Sequence, residues 1–275
     1  MNTKEKKRTI PPISSRIIWI IGASSGIGEG LAKHYAALGA KLILSSRSKD
    51  KLYRVKAACK GNPMNIHVLP LDLEKIQELE GKTQEALRIF GRIDLLIHSA
   101  GISQRATALE TNLAVAKKIM DINYWGPVAI TQMVLPTMIK QGTGHIVVIS
   151  SLMGKVGTRL RSSYAASKHA LHGYFESLRP EIYDYNIQIS MVCPGFVNTN
   201  LSEKALKGNG ELYQLKDSVH QNAMSVTQFV KKLSPYLNKQ KEEIFIAGSE
   251  IKVIWASKYL PGKLFRKKIR EAKVL

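Results

Sequence analysis

Tyr164 and Lys168 stand four residues apart in SSYAASKHALHGYF, residues 162–175. In a helix that spacing puts both side chains on one face, one turn apart. A phenol with a pKa near ~10 keeps its proton at neutral pH. A neighbouring ammonium favours the phenolate and eases release of that proton. Such a pair can hand a proton to a carbonyl oxygen, or take one from an alcohol. The same spacing also arises where a half-buried Tyr lies beside a surface Lys. Two upstream residues favour the chemical reading. Ser151 directly follows the apolar run HIVVIS, where its hydroxyl can hold a substrate oxygen and steady developing charge; Ser150 is its competitor. Asn123 is a lone amide within the apolar IMDINYWGPVAI, and a buried amide needs partners. A structural helix–helix bond would also satisfy it.

A second constellation lies near the start. The apolar run RIIWII leads directly into IGASSGIGEGLA, with Gly22, Gly26 and Gly28 at the junction. Glycines there permit a tight turn and a close backbone approach. The free N–H groups of the following helix can then face a diphosphate, so the stretch reads as a dinucleotide cradle. A site for NAD(H) usually has an acid at the end of the second strand, to hold the ribose hydroxyls. Here Ser46 and Arg47 stand there. A guanidinium suits a 2′-phosphate, which favours NADP(H) over NAD(H); a solvated surface arginine is the plain alternative. Asp72, ending the third strand, can accept from an adenine amino group or cap the next helix, and both roles remain open.

These residues need a scaffold. Short apolar runs at 16–21, 41–46, 65–71, 92–100, 145–150, 187–193 and 243–248 alternate with helical patterns at 26–39, 74–90, 112–140, 163–184 and 226–238. A basic helix ends near Cys59, and a loop with a short helix is expected over 195–224. Continuous apolar runs are what parallel strands covered on both faces require. The expected fold class is α/β, a doubly wound Rossmann fold with a seven-stranded, mostly parallel sheet and helices on both faces. We divide the 275 residues into a basic extension (1–15), one oxidoreductase domain (16–250) and a basic tail (251–275). Cys59 and Cys193 lack metal-type spacing and read as small core residues; no metal is expected. No apolar run reaches the ~20 residues that span a bilayer, so a cytoplasmic protein is expected, with a peripheral hold at a membrane surface as the alternative. The net charge of +20 favours anionic partners.

The motifs GASSGIG, LDL, HSAG, NYWG, ISS, YAASK and PGFVNT occur in this order between about residues 15 and 250. The chain thereby resembles the short-chain dehydrogenase/reductase family. GYFESLRPEI and SQRA are most similar to its branch holding hydroxysteroid dehydrogenases and the dehydrogenase/reductase member seven proteins. The resemblance implies hydride exchange between a nicotinamide and a ketone or secondary alcohol. It implies Tyr164 as general acid/base, Ser151 holding the substrate oxygen, Lys168 bonding the nicotinamide ribose, and Asn123 serving a backbone-coupled water that relays protons to Lys168. It places cofactor contacts at Gly22, Ser24, Ser25, Gly26, Ile27, Gly28, Ser46, Arg47, Asp72, Leu73, Ser99, Ala100, Gly101, Asn123, Tyr164, Lys168, Pro194, Gly195, Val197 and Thr199. Two departures stand out. Ile21 replaces the usual Thr before the first glycine, and His98-Ser99 replaces the usual Asn-Asn. His98 is expected to take over the structural anchoring of the first Asn.

The expected substrate pocket comprises Leu152, Met153, Leu160, Phe196 and part of 200–216, which is apolar and suits a lipid- or steroid-like carbonyl. A small ketone, or a non-catalytic sensor that keeps the nucleotide fold, are the competing readings. Family members pair through the two long helices, so a homodimer or homotetramer is expected. In the tail, Leu264, Phe265, Ile269 and Ala272 share a helical face apart from most of the cations. Residues 261–275 could therefore lie on an anionic membrane, or remain a solvated tail or subunit contact. No nucleic-acid recognition motif is present, so that partner is not expected.

Overall fold

In the computed structural model, residues 11–214 and 223–271 are described. Seven strands form one sheet: β1 (Ile17–Ile21), β2 (Lys41–Ser45), β3 (Ile66–Val68), β4 (Leu95–His98), β5 (Gly144–Ile149), β6 (Ile187–Pro194) and β7 (Glu243–Ile246). Their order is β3-β2-β1-β4-β5-β6-β7, and every pairing is parallel. The chain reverses direction across the sheet between β1 and β4, the switch point where such sheets place their ligands.

The apolar runs explain the layers. In β1, Ile18 and Ile20 face one core while Trp19 and Ile21 face another. All four are essentially inaccessible, as a strand covered on both faces must be. The first core is closed by α1 (Gly26–Ala37), α2 (Lys49–Ala58) and α7 (Val226–Asn238), through Leu31, Leu52, Phe229 and Leu233. The second is closed by α3 (Ile76–Phe90), α5 (Gly126–Gln141) and α6 (Ser162–Glu181), through Leu79, Ile130, Val134, Leu171 and Phe175. Cys193 is buried and Cys59 packs half-buried against the first core, both unpaired.

The long helix expected over 112–140 is interrupted. It consists of α4 (Leu113–Met120), a π-turn over Asp121–Trp125, and α5. The Gly126 N–H bonds back to the Asp121 carbonyl, five residues earlier. Residues 195–214 form turns and isolated bridges, where a short helix was expected nearby; residues 215–222 lie outside the described residues. After β7 come α8 (Lys252–Tyr259) and α9 (Gly262–Glu271), which makes most of the expected tail helical. The expected apolar face of that tail is not free. Phe265 and Ile269 pack against Leu152, Val156, Cys193 and Ile254. Ala272 and residues 1–10 lie outside the described residues.

His98 ends β4 and lies against α5, with its Nε2 2.9 Å from the Thr131 hydroxyl. Full burial pulls its pKa down to about 3, so the ring is neutral. It anchors strand to helix as an amide would. Replacing His98 with Ala removes that bond and opens a cavity, at an expected cost of ~2–4 kcal/mol in chemical denaturation. A loss well below that would remove the anchoring role.

Candidate active site

The residues singled out by spacing gather at the carboxyl ends of the strands. Gly22 follows β1 with φ +87°, and a Cβ there would lie 2.4 Å from the Ala100 nitrogen. A Cβ at Gly28 would lie 2.2 Å from the Gly22 carbonyl oxygen. Only glycine lets the turns after β1 and β4 touch, and only glycine lets α1 start so close beneath them. The Ser99 N–H bonds to the Ile21 carbonyl at 2.8 Å, which fixes Ser99, Ala100 and Gly101 beside this loop. Ser25 is the N-cap of α1, yet no side chain caps that helix end. The N–H groups around Gly26, Ile27 and Gly28 are thus left to an outside acceptor. Ser24 and Ser25 flank them, and Thr199 comes within 3.1 Å of a Cβ placed at Gly26.

At the end of β2, the Ser46 hydroxyl is buried with no hydrogen-bond partner among the described residues. Arg47 is exposed and pairs with Glu74 at 3.2 Å. Asp72 does not cap α3, whose N-cap is Lys75; its Oδ1 instead accepts the Glu74 N–H at 3.1 Å, in the turn before that helix. Leu73 points away from the loop, into contact with Gly126, so only its main chain can face a nucleotide. Pro194 ends β6, and Val197 is buried and bridged to Met224. A glycine cradle, an uncapped helix end and an unpartnered buried hydroxyl together fit a dinucleotide.

The second group lies around the end of β5. Tyr164 and Lys168 are both buried, at 5% and 4% exposure. The Ser151 side chain lies beside the Tyr164 phenol and works against the rise that burial imposes on its pKa. Ser150 is turned the other way, its Oγ 3.1 Å from His172 Nε2. The strand's alternation therefore selects Ser151 over Ser150. The Lys168 Nζ donates to the Ile149 carbonyl at 2.9 Å and lies 5.9 Å from the Tyr164 ring centre. Asn123 occupies the π-turn, a feature frequent at functional sites. Its Oδ1 accepts the Ile102 N–H, and its Nδ2 donates to the Ile102 carbonyl, each at 2.9 Å. The same nitrogen donates to Ser167 Oγ at 3.0 Å, and Ser167 donates to the Tyr164 carbonyl at 2.7 Å. The Asn123 side chain is therefore committed to loop and helix.

Burial governs the acidity of both groups. Burial pushes the Tyr164 phenol up, and the opposing influences are the Ser151 hydrogen bond and the charge of Arg161. Burial also pulls the Lys168 ammonium down to about 8. Sequence spacing missed Arg161, which is buried and donates to Ser103 Oγ at 2.7 Å. It also missed Glu250. That carboxylate accepts the Phe196 N–H at 2.8 Å, and its Oε1 lies 2.0 Å from where a Gly195 Cβ would be. Both contacts are distant in sequence, and only the turn SQRA hinted at the first. Gln104 of that turn accepts the Ser163 N–H at 2.8 Å and so holds the start of α6.

An apolar cleft opens from Ser151 and is lined by Leu152, Met153, Val156, Thr158, Pro194, Gly195, Phe196, Glu250 and Val253. Leu160, expected there, lies outside it; its backbone has φ +61° and its carbonyl accepts the Ala106 N–H.

The family profile described as short chain dehydrogenase matches residues 16–210. The chain belongs to the short-chain dehydrogenase/reductase family. It is 37% identical over 245 residues to dehydrogenase/reductase SDR family member 7B of Xenopus tropicalis, covering 86% of this chain and 78% of that one. It is 36% identical to member 7 of Homo sapiens, covering 90% of this chain and 75% of that one. Among solved structures, a family member from Burkholderia phymatum in complex with NAD superposes with a TM-score of 0.79 at 20% identity, covering 96% and 99% of the two chains. Levodione reductase gives 0.75 at 25% identity, covering 86% and 97%. This short-chain dehydrogenase/reductase is an NAD(P)-dependent oxidoreductase acting on CH–OH groups. The cytoplasmic expectation is overturned by the relatives, since the member 7 and 7B proteins are membrane-associated. No helix among the described residues is long and apolar enough to cross a membrane.

The depressed Lys168 pKa has a measurable consequence. The folded chain releases that proton near 8 and the unfolded chain near 10.5. The buried ammonium therefore lowers stability below pH 8, and the deficit disappears as pH rises toward 10.5. Lys168→Met is expected to raise stability at pH 7 by roughly 2–3 kcal/mol, with the gain shrinking at alkaline pH. Thermal denaturation across pH reads this directly, and a pH-independent difference would contradict it.

Proposed function

We propose that the protein exchanges a hydride between NADP(H) and a hydrophobic, lipid- or steroid-like ketone or its secondary alcohol, with Tyr164 as the general acid/base. The observation carrying this is the juxtaposition of two hydroxyls, Ser151 and the buried Tyr164, with Ser151 opening into an apolar cleft. A ketone oxygen placed against both hydroxyls accepts two hydrogen bonds. The Ser151 bond steadies the growing negative charge, and Tyr164 gives up its proton. The nicotinamide supplies the hydride. Burial keeps the phenol protonated until a charged oxygen forms beside it, which suits proton donation at neutral pH. In the alcohol direction the same phenol must lose its proton first. The buried Lys168 and Arg161 stand as the nearby cations.

The dinucleotide lies along Gly22–Gly28, Ser46, Arg47, Asp72, Leu73, Ser99–Gly101 and the 194–199 turn. Preference for the 2′-phosphate rests on Arg47 and on the absence of an acid at Ser46. The Arg47–Glu74 pair is exposed, and such pairs are worth little, so the guanidinium can turn to a phosphate. The subunits form a homodimer or homotetramer paired through α4–α5 and α6, where Trp125 is 48% exposed.

Two variants test this reading. Tyr164→Phe should cut turnover of a hydrophobic ketone by ~10²–10⁴-fold, while NADPH still binds; retained turnover would refute the acid assignment. Arg47→Ser should weaken NADPH by roughly tenfold to a hundredfold and leave NADH unchanged, read by cofactor fluorescence. Equal loss for both cofactors would remove Arg47 from the 2′ site.

A further inference from the structure

The C-terminal helices show two faces with opposite character. Inward, Val253 and Ile254 of α8 and Phe265 and Ile269 of α9 form one apolar cluster with Leu152 and Val156. Val253, Leu152 and Val156 also line the cleft. Outward, α9 carries Lys263, Arg266, Lys267, Lys268 and Arg270, all exposed, with Glu271 as its only acid. On α8, Trp255 and Tyr259 are 55% and 74% exposed and stack at 6.0 Å with an interplanar angle of 10°. On α9, Leu264 is 53% exposed.

An exposed Trp–Tyr pair beside a cationic helix has a definite physical preference. Amphipathic rings are most stable at a boundary that is apolar on one side and wet on the other. Lysines and arginines gain about 1 kcal/mol each beside anionic headgroups. A second copy of the chain docking by the same face would bring its five cations against these five. Charge complementarity therefore selects an anionic surface over self-association.

We propose that the outer faces of α8 and α9 form a docking surface for an anionic lipid bilayer, which supplies the cleft behind Val253 with its substrate. Trp255, Tyr259 and Leu264 enter the headgroup boundary, and the α9 cations hold the phosphates. Because α9 packs on the residues that line the cleft, docking brings the cleft to the bilayer surface. The proposal differs from an amphipathic tail laid on its apolar side, since Phe265 and Ile269 stay packed on the body. Substrate supply rests on the reading of the cleft as the substrate site; docking does not.

The test uses the full chain with phosphatidylcholine vesicles, with and without phosphatidylserine. Co-sedimentation is expected only with phosphatidylserine present, and to weaken with salt. Each neutralised cation, for example Arg266→Gln or Lys267→Gln, should weaken binding about fivefold. The double variant Trp255→Ala/Tyr259→Ala should lose retention while keeping its activity on a water-soluble ketone without lipid. Equal retention on neutral vesicles, no retention, or retention unchanged in these variants would overturn the docking surface. So would a size-exclusion shift to monomer in the aromatic variant without lipid binding, which would place a second copy there. With a lipid-borne ketone, the aromatic variant should show a raised KM and unchanged kcat. Unchanged KM despite lost vesicle binding would overturn substrate supply alone. Inactivity of the wild type toward every ketone would instead count against the catalytic reading.

Discussion

The structure around α6 depends on burying Tyr164 and Lys168 together, at 5% and 4% exposure. A buried ammonium is costly unless something holds it, and here the Ile149 carbonyl at the end of β5 does so. The buried phenol lies beside Ser151, two residues further on, which works against the rise in its pKa. The helix that carries Tyr and Lys is thus tied to the strand that carries Ser. A second chain of bonds fixes its other side, from the Ile102 backbone through Asn123 and Ser167 to the Tyr164 carbonyl. Burial shifts the titration of both groups, but the same burial strengthens each hydrogen bond they make.

That network also accounts for the polar residues that are not at the reacting end. Ser150 and Cys193 both lie near His172 Nε2, at 3.1 and 3.6 Å. They satisfy one another on the far side of β5. Burial pushes the Cys193 thiol up to about 12, so it is a packed, unreactive group. His172 and Glu176 meet Glu243 nearby, but Lys155 already bridges both carboxylates. That cluster holds α6 against β7.

Much of this was legible in the sequence, for physical reasons. Strands covered on both faces must be apolar throughout, so all seven were readable. Glycine spacing after β1 marked a backbone contact that a Cβ would forbid. Tyr164 and Lys168 were readable because helical spacing is local. What could not be read depends on contacts between distant residues or on subtle backbone geometry. The π-turn at Asn123 changes the helical register by one residue inside an apolar run, which hydrophobic periodicity does not register. Glu250 and Arg161 reach the site from segments whose own patterns are unremarkable. Leu160 was misplaced because nearness in sequence to the cleft residues does not put it in their lining. Phe265 and Ile269 look like a free amphipathic face until α9 is seen folded onto the body. Amphipathicity marks a helix as needing a partner without saying whether that partner is the protein or a bilayer.

The central claim is that the buried Tyr164 phenol, steadied by Ser151, supplies the proton as the ketone is reduced. Single-turnover reduction measured against pH in H₂O and D₂O tests it most directly. A raised phenol pKa predicts a rate flat through neutral pH, falling only in alkali, and slower in D₂O. A rate equal in both solvents, or one that rises with pH, would contradict the account.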